Sequence, residues 1–476
     1  MFPEGFELRK KNAIEEFKLI ISKYILPLFD TRGSLRRIDS SEYNKDLVTI
    51  EDGDGFSTVR FYPFVATNNH PTDFHFSIKT YSSKSIKKRV VSILRELLKV
   101  SEYNCKKYSK QRDYGIGSVS ETTYKNRTLD LAFELGMCKW LTNNDKQATT
   151  LHALISKMID WSSRTYEGKK VPFGIVIDFK QHSENNAADY LHFLDNDSSA
   201  VFTDGIFSGI LLDDEGKVLS FLTDESTANI SIDPSKEVFV PYQFISLAKL
   251  CDDSAIGIIA LTNGEIIIVK NRSICFVKRG QKWIAFDWAR VHTHLRPYFL
   301  YANITDEKEI KNKIQSIYCS LLDVSFSHTG GCLALVLPEH NTTIDEAVKE
   351  RIDLFVLGQT PEGISKESKE KIEILTYLLT YSNSHLRSFF EIEKPLRKEI
   401  LSLDGATVLA MDGGFFCAGS IVAVGGGSSG GGRTAATKKL AEYGIGVKIS
   451  EDGYIEAYGK NISDDQSRIV RLFSFK

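Results

Sequence analysis

Nowhere in this chain do about 18 apolar residues run together, so the sequence offers no candidate for a membrane-spanning helix. The opening MFPEGFELRKKNAIEEF is charged near its start and has no apolar h-region, so a secretory leader is not expected either. An excess of one charge sign is also missing. Sixty Lys+Arg against 62 Asp+Glu leave a formal net charge of −2, which excludes a whole-molecule field drawing the protein to nucleic acid or an anionic surface. The seven cysteines are scattered without CxxC spacing, which excludes the common zinc and disulfide frameworks and reads as reduced core thiols of a cytoplasmic protein. There is no HExxH, no complete Walker-type GKS/GKT loop and no Ser-His-Asp arrangement. What is present is ordinary: 42% hydrophobic and 26% charged residues make a folded protein, and 476 residues favour two to four domains over one core.

The first 150 residues read as an α/β region of unassigned role, with a helical opening over Asn12–Leu28, strands near Thr58–Val65 and a helix over Ser85–Val100. From Lys79 to Arg112 basic residues greatly outnumber acidic ones. Such a stripe suits phosphates, so nucleic acid is one partner to consider; a solvated helix face is the plainer reading.

The rest of the chain repeats itself. Ile155–Ile177, Phe202–Ser220 and Leu247–Asn271 run parallel to Ile314–Leu337, Ser402–Ser420 and Lys438–Asn461. In each block an amphipathic helix leads into a continuous apolar run, FGIVI or LALVL, the pattern of a central buried strand. An Asp-Gly pair then opens two strands joined by an Asp/Gly-rich turn, DDEG or MDGG, and a short helix delivers a final hairpin. The expected fold is therefore α/β, a mixed central sheet flanked by helices, present twice over 151–300 and 301–476 behind the N-terminal region.

Between Val424 and Gly444 the chain reads VGGGSSGGGRTAATKKLAEYG. Glycines let backbone N–H groups approach an anion, and a helix N-terminus adds partial positive charge, so Gly430, Gly431, Gly432, Arg433 and Thr434 are candidate phosphate contacts. Lys438 or Lys439 could reach in from the first helical turns. A flexible Gly/Ser connector is the alternative, since GGGSSGGG is linker composition.

The run from KPLRKEILSLDGATVLAMDGG to IGVKISEDGYIEAYGKN resembles the catalytic core of DisA-type diadenylate cyclases over roughly residues 309–461. Asp404-Gly405-Ala406 match that family's Asp-Gly-Ala motif, Ala435-Ala436 its paired alanines and Ser450-Glu451 its late turn. The resemblance implies that Asp404 would act with Mg²⁺ or Mn²⁺ on ATP, that Gly405 and Ala406 would line the nucleotide, and that Ser450 and Glu451 would lie near the pocket. The family's Arg-His-Arg segment is replaced here by Gly432-Arg433-Thr434, which removes two cations and an imidazole from chemistry that depends on charge stabilisation.

In the earlier block Asp204-Gly205 keep the motif, but Ile206 replaces alanine and KEVFVPYQFISLAKL stands where the glycines would be, as in a degenerate copy. This pattern is similar to the divergent DACNV-type sensor domains, which implies a cytoplasmic nucleotide or cyclic-dinucleotide sensor of a bacterial antiviral or conflict system, reporting to an effector protein. A divergent cyclase is the enzyme alternative and an inactive scaffold the third. The two copies would pack as an internal pseudo-dimer, or the C-terminal copies would form a homodimer. His292 and His294 in DWARVHTHLRPYF would share one face if they lay on a strand, but without a third metal ligand an ordinary surface or packing role is the plainer reading; for His328 a place at the border of the C-terminal pocket is the alternative to the plainer reading, a loop histidine with no ligand.

Overall fold

The computed structural model describes residues 20–25, 36–39, 48–52, 56–61, 74–81, 84–108, 119–166, 168–183, 187–196, 203–223, 237–341, 370, 374, 387–420, 422, 431–460 and 468–476. The chain divides into two compact units, Met1–Asp233 with Ser246–Ala285, and Pro234–Ile245 with Phe286–Lys476.

In the first unit, β1 (Arg36–Asp39), β2 (Val48–Asp52), β3 (Phe56–Phe61) and β4 (Phe74–Tyr81) form an antiparallel sheet in the order β1-β4-β3-β2. Three helices follow: α1 (Lys84–Tyr108), α2 (Val119–Thr142) and α3 (Asp145–Ser163). Asn144 starts α3 by accepting the N–H groups of Lys146 and Gln147. A short ribbon, β5 (Thr165–Tyr166) and β6 (Lys169–Lys170), leads to β7 (Phe173–Asp178), and α4 (Tyr190–Asp195) leads to the hairpin β8 (Ser208–Leu212) and β9 (Val218–Thr223). Helix α5 (Ile245–Leu250) then delivers β10 (Ala255–Ala260), β11 (Ile266–Lys270), β12 (Ser273–Arg279) and β13 (Lys282–Ala285). The resulting seven-stranded sheet has the order β13-β12-β11-β10-β7-β8-β9.

One apolar cluster runs from Val59, Leu94 and Phe133 through Leu154 to Phe173, Ile258 and Phe276. The N-terminal region therefore shares its core with the first large sheet, and residue 150 lies inside α3. The basic stripe falls largely on α1: Lys88, Arg95 and Lys99 are exposed, whereas Arg89 is buried with its guanidinium 4.5 Å from the ring centre of Trp140. Lys110 and Arg112 lie outside the described residues, as does the 12–19 part of the expected opening helix.

The second unit opens with α6 (Trp288–Tyr301) and α7 (Glu307–Ser327), which run to β14 (Gly331–Val336). Then come α8 (Lys394–Leu401), β15 (Ala406–Ala410), β16 (Phe415–Ser420), α9 (Gly432–Leu440), β17 (Gly444–Ile449), β18 (Ile455–Lys460) and β19 (Ile469–Phe475). Its sheet has the order β16-β15-β14-β17-β18-β19. Asp287 accepts the N–H of Ala289 and so nucleates a helix where the sequence reading considered a strand. At helical spacing His292 and His294 leave on different faces, the first half-buried and the second buried, so they are not a shared-face pair.

Read from the opposite edge, the six strands of this sheet match six of the first sheet in order and direction. β7-β8 and β14-β15 are the parallel pairs, and every other neighbouring pair in both sheets is antiparallel. The chain is thus mixed α/β, with two mixed sheets and helices packed against them. Among the described residues no helix is long and apolar enough to cross a membrane. The six described cysteines, Cys138, Cys251, Cys275, Cys319, Cys332 and Cys417, are buried free thiols.

Candidate functional site

Strands β14 and β15 are parallel and β17 is antiparallel to β14, with Gly331 opposite Ile449. The starts of β14 and β15 and the end of β17 therefore share one end of the sheet. To that end the fold brings four segments: the α7–β14 turn with His328, Thr329 and Gly330, the α8–β15 turn with Ser402 and Asp404, the start of α9, and the β17–β18 turn with Ser450 and Glu451.

Hydrogen bonds tie these segments together. Thr329 Oγ1 and Ser402 Oγ are 2.8 Å apart, linking the first two turns. His328 closes α7 in the left-handed conformation, φ 54°, and its Nδ1 lies 2.8 Å from the carbonyl oxygen of Glu451. Arg433, the second residue of α9, donates from Nη1 to Oε1 of Glu451 at 2.9 Å. A Cβ on Gly330 would stand 2.5 Å from that Nη1, so a side chain at 330 would push the guanidinium aside.

Gly431 is the N-cap of α9, with φ 80°, and as a glycine it brings no side-chain oxygen of its own to the helix start. Lys448 donates to Thr434 Oγ1 at 2.8 Å, placing an ammonium at the first turn of α9. Sequence reasoning missed Lys448; its signal was a single lysine in the otherwise Gly/apolar strand GIGVKI.

The other expected residues divide. Asp404 is exposed, and its carboxylate has no partner among the described residues. Ala406 is buried at the start of β15. Ser450 Oγ accepts the N–H of Tyr454 at 3.1 Å, so this hydroxyl serves its own turn. Lys438 sits over the Tyr458 ring and Lys439 pairs with Glu442, so neither turns toward the cluster. Gly430, with most of the Gly/Ser run before it, lies outside the described residues.

In the first unit the corresponding aspartate is used differently. Oδ1 of Asp204 accepts the N–H groups of Ile206, Phe207 and Ser208 at 2.9, 2.8 and 2.9 Å and the Ser208 hydroxyl at 3.1 Å. Burial works against its charged form, but these donors outweigh burial and hold the carboxyl below its ordinary range. Beside this turn Ile206, Leu222, Leu247 and Leu250 line a small apolar depression.

Among the described residues no three His, Cys, Asp or Glu side chains converge to hold a metal ion. Asp404 alone supplies too few donors for a resident Mg²⁺ or Mn²⁺. What the second unit's arrangement does supply is two cations, Arg433 and Lys448, at a glycine-led helix start, with an exposed carboxylate on the neighbouring turn. A scan against protein-family models and searches of curated proteins and of solved structures found no match.

Proposed function

We propose that the second unit binds a nucleotide or cyclic dinucleotide at this end of its sheet and that the protein acts as a sensor of that ligand. The observation that carries the reading is the start of α9, where a glycine is the N-cap and, among the described residues, the ion-pair partner of Arg433 is the exposed Glu451. That pair is solvent-exposed, 38% and 68% for the two side chains, and exposed pairs are worth about 0–1 kcal/mol. A charge-assisted contact to a phosphate is worth about 1.5–3 kcal/mol, so a phosphate would displace the Glu451 carboxylate. The shared strand order of the two sheets supports two copies of one unit, of which only the second keeps a glycine-led helix start. The antiviral setting, the effector and a pseudo-dimer or homodimer rest on the family resemblance alone.

The test is incubation with ATP or GTP and Mg²⁺ or Mn²⁺, followed by mass spectrometry of soluble and protein-bound nucleotides. The expected result is bound, unaltered nucleotide without product. A cyclic dinucleotide formed by the wild type and lost in Asp404→Asn would replace the sensor by a divergent cyclase, and absence of any bound nucleotide or cyclic dinucleotide would leave a scaffold. In titration calorimetry Arg433→Ala should weaken binding about 10- to 100-fold; unchanged affinity would assign the glycine run to a linker. Glu451→Gln should act in the other direction, raising affinity up to about fivefold by freeing Arg433 from its competitor. A loss of affinity in that variant would instead make Glu451 a direct ligand contact.

A further inference from the structure

Helix α7 is enclosed over its second half, where every residue from Ile317 to Phe326 is buried. Part of the cover is the segment Glu237–Phe244, which lies in the chain between β9 and the body of α5 but belongs to the second compact unit. Its hold on α6 and α7 has several points. Glu237 pairs with Lys311 at 2.8 Å, the Cys319 thiol faces the Val238 carbonyl at 3.7 Å, and Phe239 stacks on Trp288 with ring centres 4.4 Å apart. Phe244, fully buried, meets Phe326 edge to face.

At the centre, the backbone N–H of Tyr242 donates to Asp323 Oδ1 at 2.6 Å. Asp323 is 6% exposed, and its second oxygen, Oδ2, has no hydrogen-bond partner among the described residues. An aspartate buried on a helix with one oxygen unsatisfied is costly for packing alone, and an apolar residue would fill the place more cheaply.

We propose that Glu237–Phe244 is a pH-sensitive strap, latched to α7 through Asp323, that tightens as the solution is acidified and loosens as it is made alkaline. The charged and titratable groups around Asp323 come from three elements. Lys394, Arg397 and Lys398 approach from α8, Cys319 lies one turn earlier on α7, and Glu237 is on the strap itself, engaged by Lys311. Burial pushes the Asp323 carboxyl up to about 6, against the opposing pull of the Tyr242 N–H and the three α8 cations. Burial likewise pushes Cys319 up to about 11, so it stays a neutral thiol throughout the relevant range.

The sign follows from linkage. Loosening the strap admits water to the carboxyl and returns it toward its ordinary value of 3.8, so the proton is bound more tightly in the latched form. Latching is therefore strongest below that ordinary value and weakens as pH rises through about 6. A difference of about two pH units sets the ceiling at about a 100-fold change in the latching equilibrium.

Hydrogen exchange of the full chain between pH 5 and pH 8, corrected for the intrinsic rate at each pH, tests this. Wild-type strap amides should lose up to about tenfold of their protection across that range, the part of the 100-fold ceiling that lies above pH 5, while amides of β14 and β17 keep theirs. Asp323→Asn should make strap protection independent of pH; an equal loss in that variant, or a flat wild-type profile, would overturn the proposal. Should Asp323→Asn not fold, Tyr242→Pro provides the second reading. It removes the donated N–H that favours the ionised carboxylate, so the midpoint of the transition should move to higher pH, and an unmoved midpoint would count against the latch.

Discussion

Gly405→Ala is expected to destabilise the second unit by about 3 kcal/mol and, on the proposed function, to weaken nucleotide binding more than tenfold. Gly405 has φ 105°, a region that L side chains rarely adopt. A Cβ there would stand 2.5 Å from both the carbonyl carbon and oxygen of Gly419, and 2.7 Å from the Ser420 carbonyl oxygen. All three atoms are backbone, so no rotamer change can make room. The β15–β16 pairing, which joins Ala406 to Ser420, has to open instead. Asp404 precedes this point in the chain and would move with it. Chemical denaturation gives the stability and calorimetry on the remaining folded protein gives the affinity. The control is Gly432→Ala, where the added Cβ meets nothing within 4 Å among the described residues, so stability should hold or rise slightly. If Gly405→Ala cost less than about 1 kcal/mol, the close approach to Gly419 would not be what demands glycine.

The contrast between these two glycines separates what the sequence made legible from what it did not. Central strands β7 and β14 were readable because FGIVI and LALVL are short apolar runs bounded by turn residues, and the Asp-Gly turns before β8 and β15 were readable because that dipeptide carries its own backbone preference. Those signals are local. The reading of Gly405 as a nucleotide-lining residue missed the packing reason for it, since Gly419 is distant in sequence and adjacent only through strand pairing. The same limit explains His292 and His294, whose helix depends on Asp287 capping α6. It also explains EVFVPYQF, Glu237–Phe244, whose lack of glycines was legible but whose packing on α7 was not.

Within the candidate site, Arg433 was identifiable from the glycine run and Glu451 from the resemblance. Their pairing was not, because 18 residues and a whole strand separate them. Lys448 was hidden for a different reason. A lysine in a strand reads as a solvent-facing position, and only the placement of α9 over β17 turns it toward Thr434. Within the basic stripe one member departs from a solvated face: Arg89 reads as surface charge but packs against Trp140 and Phe276.

Glu265→Leu should lower the stability of the first unit by about 3–5 kcal/mol, the cost of breaking a buried ion pair by removing one member. Glu265 precedes β11, Arg279 ends the neighbouring β12, and their side chains meet at 2.6 Å while only 7% and 4% exposed. At this depth the attraction mostly offsets the desolvation of both ions, so the pair adds little net stability, yet either partner alone is expensive. That asymmetry predicts the outcome of a double-mutant cycle. Arg279→Met alone should cost a similar amount, whereas Glu265→Leu combined with Arg279→Met should fall within about 1 kcal/mol of the wild type or exceed it. Denaturant unfolding of the four proteins measures the coupling. A small loss in each single variant, with additive behaviour in the double, would mean that water reaches the pair and that this end of the β11–β12 pairing is looser than its burial indicates.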